Sequence, residues 1–219
     1  MRASARSPDV LSKQARRAAG SAIDRQAIID GAMFGYGTPI GSHFAPHHPD
    51  YVDLLDRSPH DPEKARALLA EAGVSGLKLR LALPPPPYAR RGGEIVAAQL
   101  REVGIETQTT NMEWAQWLET VYKNHDFDLT IISHVEPMDV GIYARDGYYI
   151  GYDNADYRAL MDRLKAAVDP AERSVVLKEA QEKLAADHPV AYLFQLAKTG
   201  VADARIEGLW ENAPSPSND

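Results

Sequence analysis

The sequence predicts an α/β fold in which helices flank a mixed sheet, and three observations carry that prediction. Residues 77–83, LKLRLAL, alternate strictly, with Leu77, Leu79, Leu81 and Leu83 on one side, the pattern of a half-buried strand. A helical stretch, GGEIVAAQLREVG, separates it from a threonine-rich strand, IETQTT at 105–110, at the spacing of a βαβ unit with a right-handed crossover. Helix and strand signals then alternate again toward the C-terminus, as a layered α/β domain requires.

Taken in order, SAIDRQAIIDGAMFGYG is a helix that runs into a glycine-rich turn. TPIGSHFAPHHPDYVDLLDRSPHD follows, a long loop with abundant proline and histidine and no sustained period. HDPEKARALLAEAG has Asp61 as N-cap, Pro62 at the first helical position and Gly73 as stop, with Ala65, Leu68, Leu69 and Ala72 on one apolar face. The four prolines at 84–87 end the first strand, because proline cannot donate to a ladder. EWAQWLETVYKN places Trp114, Trp117, Leu118 and Val121 on one helical face, and FDLTII at 127–132 is a short strand. Two helices follow, NADYRALMDRLKAAV and DPAERSVVLKEAQEKLAADHP, the second opening on Asp169, Pro170 and Glu172 with the spacing of a capping box. VAYLFQLA is the last strand, expected to add part of 190–196 to the sheet. The organisation expected is an irregular helix and long loop over 1–60, an α/β lobe over 61–210, and a disordered tail over 211–219.

Composition narrows the function classes. A formal net charge of −7 with no long basic run argues against nucleic acid as a partner. The absence of cysteine excludes disulfides, thiolate chemistry and cysteine-containing metal sites. No apolar run reaches the length of a membrane span, and the basic N-terminus lacks the apolar stretch of a signal peptide. His43, His47, His48 and Asp50 invite a metal reading, but H-x-x-x-H-H in a proline-rich loop does not present one helical face. A solvated loop is expected there, with no metal and no other cofactor. Asp126 and Asp128, at the start of a strand, read as strand-edge solubility.

One stretch stands apart from this scaffold. Residues 133–154, SHVEPMDVGIYARDGYYIGYDN, gather tyrosines in a chain with only 8% aromatic residues. Tyrosine combines a flat apolar face with a polar tip, which suits recognition. His134 and Glu136 sit just past the carboxyl end of the strand FDLTII, where open α/β sheets bind ligands. Asp139, Tyr148 and Tyr149 follow, the two tyrosines flanked by Gly147 and Gly151. These residues are expected to line one solvent-open concave face, more exposed than aromatic residues normally are. Trp114, at a helix start just after a strand, is a further candidate for that face, whereas Trp117 and Tyr157 read as core.

The order of the segments AIDRQAIIDGAMFGYGTPIGSHFAP, DPEKARALLAEAGV, QLREVGIETQ, EWAQWLE, FDLTII, YDNADYRALMDRL and QEKLAADHPVAYLF closely resembles the C-terminal part of the family 5 extracellular solute-binding proteins. The resemblance runs from about Ala22 to Trp210. It implies one lobe of a type II periplasmic-binding-protein clamp, which captures a solute, in this family often a peptide, without catalysis. It further implies an ABC permease as membrane partner and a periplasmic location. Family members are longer, so the chain is expected to be an isolated C-terminal lobe that lacks its N-terminal lobe, with residues 1–60 a remnant of the region between lobes. Peptide-binding relatives often carry a tryptophan and an aspartate where this chain has His134 and Glu136. Two alternatives remain open at this stage. One is a small hydrolase using His134 with Glu136 or Asp139, although the chain has no G-x-S-x-G, P-loop or H-E-x-x-H motif. The other is a folded remnant that binds nothing.

Overall fold

The computed structural model describes residues 12–134, 139–197 and 199–209. Its framework is the predicted strand–helix–strand unit. Strand β2 (Leu77–Leu83) lies at the centre of a three-stranded parallel sheet, between β3 (Ile105–Asn111) and β4 (Leu129–Thr130). Leu77 registers with Ile105 and Leu83 with Asn111, while Leu81 and Ala82 face Leu129 and Thr130. Helix α4 (Pro87–Glu102) makes the crossover and starts at the last of the four prolines, five residues before the double glycine. Proline fits there because the first helical position needs no N–H donor.

Side-chain alternation along β2 assigns each face of the sheet to its own core. Leu77, Leu79, Leu81 and Leu83 join a cluster with α4, with α3 (Pro62–Glu71) and with two N-terminal helices, α1 (Lys13–Ser21) and α2 (Arg25–Met33). Ala82, pointing the other way, joins Trp117, Phe127, Tyr149 and Tyr157 in a second, aromatic-rich cluster under the C-terminal helices. Local capping is as the sequence indicates. Asp24, Asp61, Asn154 and Asp169 each accept a hydrogen bond from a first-turn amide of α2, α3, α6 (Ala155–Ala166) and α7 (Pro170–Asp187). Gly73, at φ +65°, closes α3 in the left-handed region that glycine enters without strain.

Several expectations are corrected. Helix α1 is absent from the sequence reading, because it buries only small residues (Ala15, Ala18, Ala19 and Gly20) against α3 and so shows no conventional apolar stripe. The last strand, β5 (Phe194–Leu196), does not join the main sheet. It pairs antiparallel with β1 (Gly37–Pro39), so parallel and antiparallel pairings occupy two sheets instead of one mixed sheet. The strand expected over 127–132 shortens to Leu129–Thr130. The helix expected after Glu113 is one α-turn, α5 (Trp114–Trp117), that widens into a π-helical turn over Leu118–Lys123. That widening changes the face: Trp117 and Val121 are buried while Trp114 and Leu118 emerge.

Asp126 and Asp128 are also more than solubility devices. Arg80 on β2 donates from Nη1 to Asp126 (2.6 Å) and from Nε and Nη2 to Asp128 (3.0 and 3.1 Å), and its backbone amide reaches Asp128 as well (2.8 Å). The acids therefore register β4 on β2. Beside them, the Trp117 indole donates to Thr130 Oγ1 (3.0 Å), which in turn donates to the Ala82 carbonyl (2.7 Å), all buried. Thr130→Val keeps the shape but strands both partners. It should cost about 2 kcal/mol in urea unfolding, since an unsatisfied buried group loses its full solvation. A loss below about 0.5 kcal/mol would show that the relay contributes nothing.

Candidate ligand-binding site

Beyond the carboxyl end of β4 the chain turns out of the sheet, and Tyr88 from the first turn of α4 fixes the exit by accepting the Ser133 amide (3.1 Å). His134 then lies parallel to the Tyr149 ring (9°, centroids 6.3 Å), with its Nε2 2.8 Å from the Tyr149 hydroxyl. Its Nδ1 faces Asp139 at 3.7 Å, and Arg145 donates to the other oxygen of Asp139 at 3.1 Å. A 3₁₀ turn over Asp139–Ala144 sets that spacing. The Arg145 guanidinium stands 5.4 Å from the centre of the Tyr148 ring, a cation–π arrangement.

The structure thus brings His134, Asp139, Tyr148 and Tyr149 together, and Glu136 lies outside the described residues. The two tyrosines differ from the expectation of shared exposure. Tyr149 is 2% exposed and forms the floor, touching Trp117, Phe127 and Tyr122, whereas Tyr148 is half-buried at the surface. Adjacent residues leaving an irregular loop point in different directions, so one of the pair is taken into the core. Trp114 is 43% exposed and packs edge-on against Trp117 at 5.9 Å. Tyr122, 42% exposed, meets Tyr148 edge-on at 5.8 Å. Sequence reasoning missed Tyr122 and Arg145. Tyr122 repeats the Trp114–Leu118 interval, and Arg145 lies inside the tyrosine stretch, so both signals were present but unread. Together these groups offer exposed aromatic edges, a half-exposed imidazole and one exposed guanidinium around a carboxylate that is already engaged.

The histidine-rich loop packs behind this site. His43 Nδ1 is 3.2 Å from the Tyr143 hydroxyl, which also accepts from Tyr192 at 3.3 Å. Burial, with smaller contributions from His134 and His48, pushes the His43 imidazole down to about 4. His48 stacks on Phe44 at 4.1 Å and accepts the Asp50 amide (3.1 Å), while the Asp50 carboxylate accepts the Ser174 hydroxyl. Gln181 donates to the Asp50 carbonyl (2.7 Å). The loop is therefore anchored on α7 and is not simply solvated. Among the described residues no three candidate metal ligands come together.

Residues 7–156 match the family described as bacterial extracellular solute-binding proteins, family 5 Middle. The chain belongs to this family. Among family 5 relatives, the di/tripeptide-binding protein 4 of Pseudomonas aeruginosa (strain UCBPP-PA14) is 29% identical over 211 residues, spanning 86% of this chain and 39% of that protein. The heme-binding protein A of Haemophilus influenzae is 26% identical over 185 residues, spanning 76% and 33%. The chain therefore spans about two-fifths or less of the length of these relatives. In fold it is similar to the PBP AgaA of A. tumefaciens R10, solved with agropinic acid, at a TM-score of 0.80, 24% identity and coverage of 89% and 43%. It is also similar to the Helicobacter pylori periplasmic binding protein DppA, solved with the peptide STSA, at a TM-score of 0.77, 18% identity and coverage of 88% and 40%. The expected α/β lobe of a type II periplasmic binding protein is thereby the observed one.

Proposed function

We propose that this chain supplies one wall of a solute-binding site, captures a peptide or similarly sized amphipathic solute there without transforming it, and serves an ABC importer outside the cytoplasmic membrane. The observation that carries this reading is the convergence of His134, Asp139, Arg145, Tyr148 and Tyr122 beyond the parallel strands, with Trp114 joined to them through Trp117 and Tyr149. Family membership supports it, and so does the naming of di/tripeptide-binding proteins among the relatives. The role of Tyr149 in this reading is indirect: it is buried and orients His134. Glu136 is retained as a ligand contact on its sequence position alone. The hydrolase alternative gains no support from relatives that are named as binding proteins.

A single wall offers part of the contacts of a closed clamp while the ligand still loses its translational and rotational freedom. Binding by the 219-residue chain should accordingly fall near the millimolar range. Amide and indole NMR during titration with di- and tripeptides tests this. The Trp114 indole signal should move and saturate, while that of Trp117, tied to Thr130, should not. Arg145→Ala and Trp114→Ala should each weaken binding about tenfold with unfolding unchanged. Shifts confined to other faces of the molecule would refute the assignment.

A further inference from the structure

The helical segment after β3 carries an apolar row that continues the candidate site. Trp114, Leu118 and Tyr122 recur at every fourth residue and are exposed to a similar degree, 43%, 45% and 42%. The change from α-helical to π-helical bonding at Leu118 brings them into line. In an α-helix each fourth residue drifts by about 40° around the axis. The wider i→i+5 turn removes most of that drift between Leu118 and Tyr122. Trp117 and Val121, on the opposite side, are buried and hold the segment on the sheet, the Trp117 indole through Thr130. The row therefore stands on a fixed support.

It meets the site at two points. Tyr122 lies edge-on to Tyr148 at 5.8 Å and tilts on Tyr149 at 5.5 Å, the ring whose hydroxyl faces His134. Trp114 reaches Tyr149 through Trp117, with centroid separations of 5.9 and 5.8 Å. Its chemistry differs from that of the polar end at His134, Asp139 and Arg145. From 113 to 123 the only charged side chains are Glu113, Glu119 and Lys123. Each has a counter-ion alongside: Glu113 accepts from Arg90 at 2.9 Å, and Glu119 from Lys123 at 3.1 Å. A line of large apolar side chains with its flanking charges already paired suits an uncharged apolar group. An ionised group would lose hydration there and gain no partner.

We infer that Trp114, Leu118 and Tyr122 form the subsite for a bulky apolar side chain of the solute, so that the chain selects peptides carrying phenylalanine or leucine over those carrying alanine, lysine or glutamate. The inference rests on the peptide-binding reading proposed above and adds to it the class of side chain.

NMR titration of the 219-residue chain with alanine tripeptides whose central residue is alanine, leucine, phenylalanine, lysine or glutamate tests it. The leucine and phenylalanine peptides should bind about tenfold more tightly than the alanine peptide, as expected for half-burying one large apolar side chain against a single wall. They should also move the Leu118 methyl signals, and the lysine and glutamate peptides should gain nothing over alanine. Leu118→Lys, at a surface position, should fold normally and cut the preference for phenylalanine over alanine to about twofold or less, because it places an unpaired charge in the row. The two readings fail differently. If no peptide moves the Arg145 amide or the Trp114 indole, the binding reading falls and this inference falls with it. If peptides bind there but the alanine, leucine and phenylalanine peptides differ by less than about twofold in affinity, or if the preference survives in Leu118→Lys, binding stands and the apolar subsite is overturned. Leu118 signals that shift with protein concentration in the absence of peptide would assign the row to contact between copies of the chain, which overturns it as well.

Discussion

Lowering the pH from about 6.5 to about 4 should remove about 3 kcal/mol of folding stability through His43 alone. His43 keeps some surface contact, yet the Phe44 and Tyr143 rings pack edge-on against it at 5.2 and 5.5 Å. Desolvation disfavours the imidazolium, and the nearby His134 and His48 disfavour it further once either is charged. The folded state therefore binds this proton less tightly than the unfolded chain does. The contribution is fully present above about pH 6.5, declines as the pH falls through the interval, and is gone near pH 4. His188, displaced in the same direction by burial, steepens the same limb. Urea midpoints at several pH values between 4 and 7 should show this slope, and His43→Gln should flatten it by about half, leaving the part due to His188. A mutant slope equal to that of the parent chain would place the acid sensitivity elsewhere.

Gly41→Ala should cost at least about 3 kcal/mol. A Cβ at this position would stand 2.2 Å from the Leu55 nitrogen and 2.3 Å from the Leu54 carbonyl carbon. Backbone atoms cannot rotate aside as a side-chain end can, so the segment from Ile40 to Leu55 would have to separate. Glycine is required at this close approach, although its φ is not positive. Gly141→Ala provides the control, because among the described residues nothing lies within 4 Å of its added methyl group and it should stay within about 0.5 kcal/mol of the parent. Denaturant unfolding of the two variants compares them directly. Similar losses in both would refute the packing argument.

Legibility in the sequence followed the range of the interaction. Asp61 with Pro62, Asn154, and Asp169 with Pro170 announce helices because a cap is a contact within a few residues. The alternation in LKLRLAL is equally local and correctly assigns four leucines to one core. Helix α1 escaped because alanine packing against α3 depends on a partner some fifty residues away. The site was legible as a place. Tyrosine density and position after β4 located it, and His134 with Asp139 proved to be neighbours. Which of Tyr148 and Tyr149 faces solvent was not legible, since the two are the same residue side by side in one irregular loop and only the Trp117–Phe127 cluster takes one of them in.

By itself the sequence determined the α/β class, the order of its central elements, the family and the loop that carries the candidate site. Each of these is written in periodicity, caps or segment order, which survive without knowledge of what lies across the molecule. The tertiary structure decided the rest. It sent β5 to β1 and away from the main sheet, turned the Trp114 helix through a π-turn that exposes Trp114 and Tyr122, and paired Asp139 with Arg145. Those outcomes depend on packing and electrostatics between residues far apart in the chain, where the energy of a contact depends on the partner that the fold supplies.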